Sequence, residues 1–161
     1  MPNKHTFDVR CINKFVLRYY DKDLYSIDPF ANKNKLATVT NDLDPEMPTH
    51  HHMDALDFLK MFDDASVDLV LFDPPYSPRQ ISESYKRLGK SVNWETTQAS
   101  FWSKMKDEIA RITKPQGVVL SFGWNSNGIG KTRGFELVEI QLVAHGGAHN
   151  DTICVAERKV Q

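Results

Sequence analysis

A chain of 161 residues, 40% hydrophobic and 25% charged, has room for one buried core, which excludes a disordered or fibrous polymer. Its 20 Lys+Arg against 21 Asp+Glu leave a net charge of −1, so attraction to a polyanion has to come from local patches. Two cysteines, Cys11 and Cys154, form no C-x-x-C pair, arguing against a disulfide framework or zinc site, and no window approaches the about 20 apolar residues of a membrane helix. Met1-Pro2-Asn3-Lys4 leads into polar sequence without an apolar signal region, so a soluble cytoplasmic protein of one domain, 1–161, is expected.

Ile12, Phe15, Val16 and Tyr19 recur at helical spacing and predict an amphipathic packing helix over Val9 to Tyr20. Leu24 to Phe30 and Ala37 to Asp42 read as the first two strands, each running into an acid, Asp28 and Asp42. The short stretch Thr49 to Met53 takes the third strand position, and Asp54 is a natural N-cap for a helix that buries Ala55, Leu56, Leu59 and Phe62. The apolar run Val67 to Phe72 is the fourth strand, followed by a polar loop from Ser77 to Glu95. Ala99, Trp102, Met105, Ile109 and Ile112 then mark a helix over Thr96 to Thr113, closed by Lys114-Pro115-Gln116-Gly117. Val118 to Trp124 is the fifth strand, and Glu136 to His145 with Asp151 to Lys159 reads as a C-terminal antiparallel hairpin. Strands alternating with helices predict an α/β fold: a mostly parallel seven-stranded sheet, helices on both faces, ending in that hairpin.

The tetrapeptide Asp73-Pro74-Pro75-Tyr76 closes the fourth strand. Proline has no N–H and a fixed φ, so two in succession stop the sheet ladder and leave main-chain carbonyls available. The Pro74 carbonyl and the Asp73 carboxylate are then placed to accept from a single –NH₂ group. Two acceptors gripping the hydrogens of a base amine localise its lone pair toward an incoming methyl. Tyr76 supplies a stacking face, worth roughly 1–3 kcal/mol per base.

Asp28, Asp42, Asp54 and Asp73 are all predicted at the carboxyl edge of the sheet, where ligands of such folds bind. Carboxylates repel one another, so a fold that gathers them serves a ligand rich in positive charge and donors. A sulfonium cofactor with two ribose hydroxyls and an adenine amine has that chemistry. NAD is disfavoured because no G-x-G-x-x-G follows a predicted strand.

From about Ile12 to Lys159 the chain resembles the class I S-adenosylmethionine-dependent amino-methyltransferases, above all the small adenine-specific DNA enzymes of phages and mobile elements. The resemblance implies a Rossmann-like methyltransferase domain without a separate target-recognition domain, S-adenosylmethionine as cofactor, and a bacterial or phage-infected cell as its setting. It assigns the target amine to Asp73, Pro74 and Tyr76, with Pro75 stiffening the turn, and the cofactor to Asp28-Pro29-Phe30, to Asp42 for the ribose, and to Asp54-Ala55 for the adenine, with Asp73 at its border. The helix around Ile12 resembles the segment that folds over the cofactor's methionine. Where the family continues into a Gly-rich loop, this chain has Ala31-Asn32-Lys33-Asn34-Lys35-Leu36. Either the first helix is reduced to a turn or the strand ends are displaced, and Asn32 or Asn34 takes a left-handed position.

The reaction so implied is direct in-line methyl transfer to the adenine N6 amine, needing alignment and no cysteine nucleophile. In duplex DNA the base must first be flipped out. Arg79, Lys86, Arg87 and Lys90, with Tyr85 among them, form the best basic and aromatic patch for phosphate contact, and Lys131 and Arg133 a weaker second rim. His50-His51-His52 alternate across a strand and do not converge on a metal. Cytosine-N4 methylation, RNA base methylation and a non-catalytic binding subunit are the alternatives, and the protein acts as a monomer or homodimer.

Overall fold

The computed structural model describes residues 6–75, 99–147 and 150–160, with backbone alone at 99–101. Three helices are present among these residues: α1 (Arg10–Leu17), α2 (Ala55–Lys60) and α3 (Ala99–Ile112). The strands are β1 (Ser26–Asp28), β2 (Val39–Thr40), β3 (Val67–Phe72), β4 (Thr113–Gly123), β5 (Phe135–Val143) and β6 (Thr152–Lys159). They form one mixed sheet in the order β2-β1-β3-β4-β6-β5. β1, β2, β3 and β4 pair in parallel, while β6 pairs antiparallel with both β4 and β5.

Alternation along β3 divides the core. Leu69 and Leu71, with Leu120, Phe122, Cys154 and Ala156, pack against Ile12, Phe15 and Val16 of α1. Val70 and Phe72, with Ile27, Val119 and Phe135, pack against Phe58 and Leu59 of α2 and Met105, Ile109 and Ile112 of α3. Burial on both faces is why Val67–Phe72 reads as an unbroken apolar run. The Asp54 side chain accepts from the Leu56 N–H at 2.9 Å and caps α2 as expected, a contact worth about 1 kcal/mol.

Two expectations need correction. Among the described residues the sheet has six strands, not seven: Thr49 to Met53 contributes only a parallel bridge, Asn41 to His51, because it meets β2 at the end of that two-residue strand. β4 begins at Thr113, before the predicted Val118. The register passes from Val67–Thr113 to Leu69–Val118, so Lys114-Pro115-Gln116-Gly117 bulges out of the strand with Gln116 at φ 68°. The C-terminal antiparallel pair forms, with β6 inserted between β4 and β5.

No helix connects β1 to β2. Residues 29–38 turn instead, with Asn32 at φ 51°, the left-handed conformation expected of one of the two asparagines. Asn41, fully buried, holds this short crossover together. Its amide donates to the carbonyls of Pro29 (3.1 Å) and Met53 (3.0 Å), and its oxygen accepts from the Met53 N–H at 3.1 Å.

Candidate active site

The site lies where parallel β1 and β3 end side by side. Ile27 pairs with Val70, so Asp28, the last residue of β1, falls on the side covered by α1. Asp73 follows β3 directly. Pro74 is buried, while Asp73 and Pro75 are partly exposed. Tyr76 lies outside the described residues.

Asp28 is fully buried. Its Oδ1 accepts from the Phe30 N–H and its Oδ2 from the Asn34 amide, both at 3.0 Å. Burial is the largest influence on this carboxyl and pushes it up to about 8. The two hydrogen bonds pull the other way, and the negative fields of Asp73 and Asp42 push it further up. Asp28, Asp42 and Asp73 are therefore one electrostatic cluster, and Asp28 is neutral near pH 7 when no cation stands beside it.

Asp42 ties the loops on either side of it. Its Oδ2 accepts from the Asn32 N–H at 3.0 Å and its Oδ1 from the Asp44 N–H at 2.9 Å. A carboxylate accepts at both oxygens, the chemistry that ribose hydroxyls call for. The Asn32 side-chain oxygen is buried without a hydrogen-bond partner. A buried acceptor left without a donor is a place that a ligand's donor can fill.

The other sequence-predicted residues divide. Pro29 is buried, and the Phe30 ring lies 6.0 Å from that of Phe72, so Asp28-Pro29-Phe30 is wedged between β2 and β3. Asp54 caps α2 and Ala55 is buried, and Asn41 joins the preceding Met53 carbonyl to the end of β2. Ile12 is fully buried in the α1 interface with β3 and β4, so it seats the helix and offers no surface of its own. Arg133 donates to Asp107 (2.6 Å), Ser103 (2.8 Å) and the Ile129 carbonyl (3.3 Å); it clasps α3 and is not presented as a phosphate contact. Lys131 on the same 3-10 turn is exposed. Arg79, Tyr85, Lys86, Arg87 and Lys90 lie outside the described residues.

The histidines have separate uses. His50 Nδ1 meets the Thr40 N–H and hydroxyl, the His51 ring packs on Phe58, and His52 meets Thr49. Among the described residues no group of His, Cys, Asp or Glu is arranged to hold a metal, and no helix is long and apolar enough to cross a membrane.

Two contributors have no signal in the sequence. Asn34 becomes a partner of Asp28 only through the fold of the loop. Glu157, buried on β6, accepts from the N–H groups of Ile129 and Gly130 and pins the loop after β4. Gly128, at φ 50°, is required there because a Cβ would strike that carboxylate.

The fold is shared by solved structures over almost the whole chain. A SAM-dependent methyltransferase from Archaeoglobus fulgidus superposes with a TM-score of 0.62 at 10% identity, covering 98% of this chain and 95% of that one. The chain has the fold of the S-adenosylmethionine-dependent methyltransferases. The N-methyltransferase NodS of Bradyrhizobium japonicum gives a TM-score of 0.58 at 11% identity, covering 100% of both chains. A Burkholderia thailandensis 1,6-didemethyltoxoflavin-N1-methyltransferase, solved with its substrate and S-adenosylhomocysteine, gives 0.55 at 12% identity, covering 100% of this chain and 92% of that one. No protein-family model and no curated protein matches the sequence. At these identities the likeness establishes the methyltransferase fold. Ligands of open parallel sheets bind outside the carboxyl ends of the strands, the edge that holds Asp28, Asp42 and Asp73.

Proposed function

We propose that this chain transfers a methyl group from S-adenosylmethionine to the exocyclic N6 amine of adenine in DNA. The observation that carries the reading is the juxtaposition of Asp28-Pro29-Phe30 and Asp73-Pro74-Pro75 at the ends of neighbouring parallel strands, close enough that Asp73 acts on the Asp28 carboxyl. One acidic strand end suits the cofactor and the adjoining one suits the amine that receives its methyl.

Asp28, Asp42 and the Asn32 oxygen would hold the cofactor's cationic and hydroxyl groups, with Asp54 and Ala55 beside its adenine. Bound there, the cofactor supplies an electrophilic methyl. The chain's own part is alignment. Asp73 and the Pro74 carbonyl accept the two amine hydrogens and turn the nitrogen lone pair toward the methyl donor. Pro75 keeps that carbonyl out of the sheet ladder. Tyr76, Arg79, Tyr85, Lys86, Arg87 and Lys90, which follow in the sequence, would stack the flipped base and contact phosphate.

Incubation with methyl-labelled S-adenosylmethionine and separate DNA and RNA pools, followed by nucleoside mass spectrometry, tests the reading. N6-methyl-2′-deoxyadenosine in the DNA pool alone is expected. Label in RNA, or on cytosine N4, would replace the substrate named here, and no label in either pool would contradict methyl transfer to nucleic acid.

A further inference from the structure

We propose that β5 binds a second copy of this chain, edge to edge and antiparallel, with Ile140 on the two-fold axis. β5 is the last strand of the sheet. Its two faces are the reverse of what a solvated edge strand normally shows. Glu139 and Gln141 point toward α1, where Glu139 accepts from Arg18 (2.6 Å) and Tyr19 (2.7 Å), and Gln141 accepts from Arg18 (2.9 Å) and donates to the Cys11 carbonyl (3.1 Å).

The apolar residues take the other side. Leu137, Ile140 and Leu142 pair across to Glu157, Val155 and Ile153 and are 57%, 47% and 63% exposed, with Val138, displaced by the bulge between Leu137 and Glu139, at 46%. Antiparallel sheets turn their polar face to water. The connection from β4 to β5, residues 124–134, contains a 3-10 turn, Lys131–Arg133, and no helix to cover this side. Natural edge strands are blunted by lysine, proline, inward-pointing charge, a bulge or short length. β5 runs Phe135–Val143 without lysine or proline, and its bulge lies between Leu137 and Glu139, so Glu139–Val143 stays in regular register.

The pattern of β5 is complementary to itself, which identifies the occupant. With Ile140 opposite its symmetry mate, Glu139 faces Gln141 of the partner subunit and Val138 faces the partner's Leu142, so apolar residues meet apolar and no carboxylates are opposed. Sliding the register to set Glu139 against itself opposes two like charges, which is destabilising. Setting Gln141 on the axis places Glu139 against an apolar valine. Of these three registers, charge and apolar matching favour the one centred on Ile140.

Antiparallel pairing reverses every strand of the second sheet, so the two carboxyl edges bearing Asp73 point in opposite directions. Each copy keeps its own Asp28 and Asp73 away from the β5 edge, and methyl transfer does not depend on the association. Failure of the dimer and failure of the proposed activity are thus distinguishable.

Sedimentation velocity on the full chain at micromolar concentration should give twice the monomer mass. Ile140→Lys should return it to a monomer with unchanged circular dichroism. Ile140→Cys in a Cys11→Ser background should form a disulfide-linked dimer on mild oxidation. Residues facing each other across an antiparallel pair have Cα atoms about 4.5–5.5 Å apart, within disulfide reach. Leu137→Cys, three positions from the axis and so opposite the partner's Val143 and not its own symmetry mate, should not cross-link. A wild-type monomer, a dimer that survives folded Ile140→Lys, or a dimer in which Ile140→Cys fails to cross-link would overturn the proposal.

Discussion

Asn34 Nδ2 donates to Asp28 Oδ2 at 3.0 Å, so an asparagine of the glycine-free loop occupies one oxygen of the buried acid that ends β1. The amide stands in for a cationic donor and holds the loop over the site. A cofactor ammonium entering this edge would compete with a side chain of the protein itself.

Stability should record the burial of that acid. The Asp28 carboxyl is raised from 3.8 to about 8, so between those values the folded state holds a proton that the unfolded state has lost. Stability contributed at this site therefore falls as pH climbs through that window and is level above it. Asp28→Asn removes the dependence. Urea unfolding at about pH 9 should find the variant more stable by roughly 2–4 kcal/mol, with the difference fading toward about pH 4. A variant less stable than wild type at the higher pH would refute this.

Glu157→Ala should loosen the loop after β4. It leaves the Ile129 and Gly130 N–H groups without their buried acceptor, at a cost of about 2–4 kcal/mol. Glu157→Gln keeps one acceptor oxygen and should lose less. Denaturant midpoints measure both, and an Ala variant as stable as wild type would show that the clamp does not hold the loop.

The two thiols should differ sharply. Cys11 is exposed, whereas Cys154 is buried and pushed up to about 12, chiefly by burial and next by the Asp73 charge. A thiol reagent near pH 8 should label one cysteine in the native protein and both after unfolding. Rapid native labelling of Cys154 would show that the packing between α1 and β6 opens readily.

The sequence makes β3 and the α2 cap legible because both are local: a continuous apolar run buried on two faces, and an aspartate directly before a helical pattern. The placement of Asp28, Asp42 and Asp73 at one edge was legible for the same reason, since each follows an apolar segment. The third strand was overestimated because nothing in Thr49 to Met53 shows how short β2 is. The bulge at Lys114 to Gly117 comes from register with Val67 and Leu69, which a single segment does not encode. Arg133 looked like a phosphate contact until α3 brought Asp107 and Ser103 to it. Asn34, Asn41 and Glu157 acquire their parts only from residues distant in the fold.

Asp73→Ala separates alignment from binding. Under single-turnover conditions with labelled S-adenosylmethionine and DNA, the variant should bind cofactor, keep its fold and lose methyl transfer to adenine by on the order of 10² or more. Adenine methylation by folded Asp73→Ala at close to the wild-type rate would contradict the role given to the Asp73-Pro74-Pro75-Tyr76 edge.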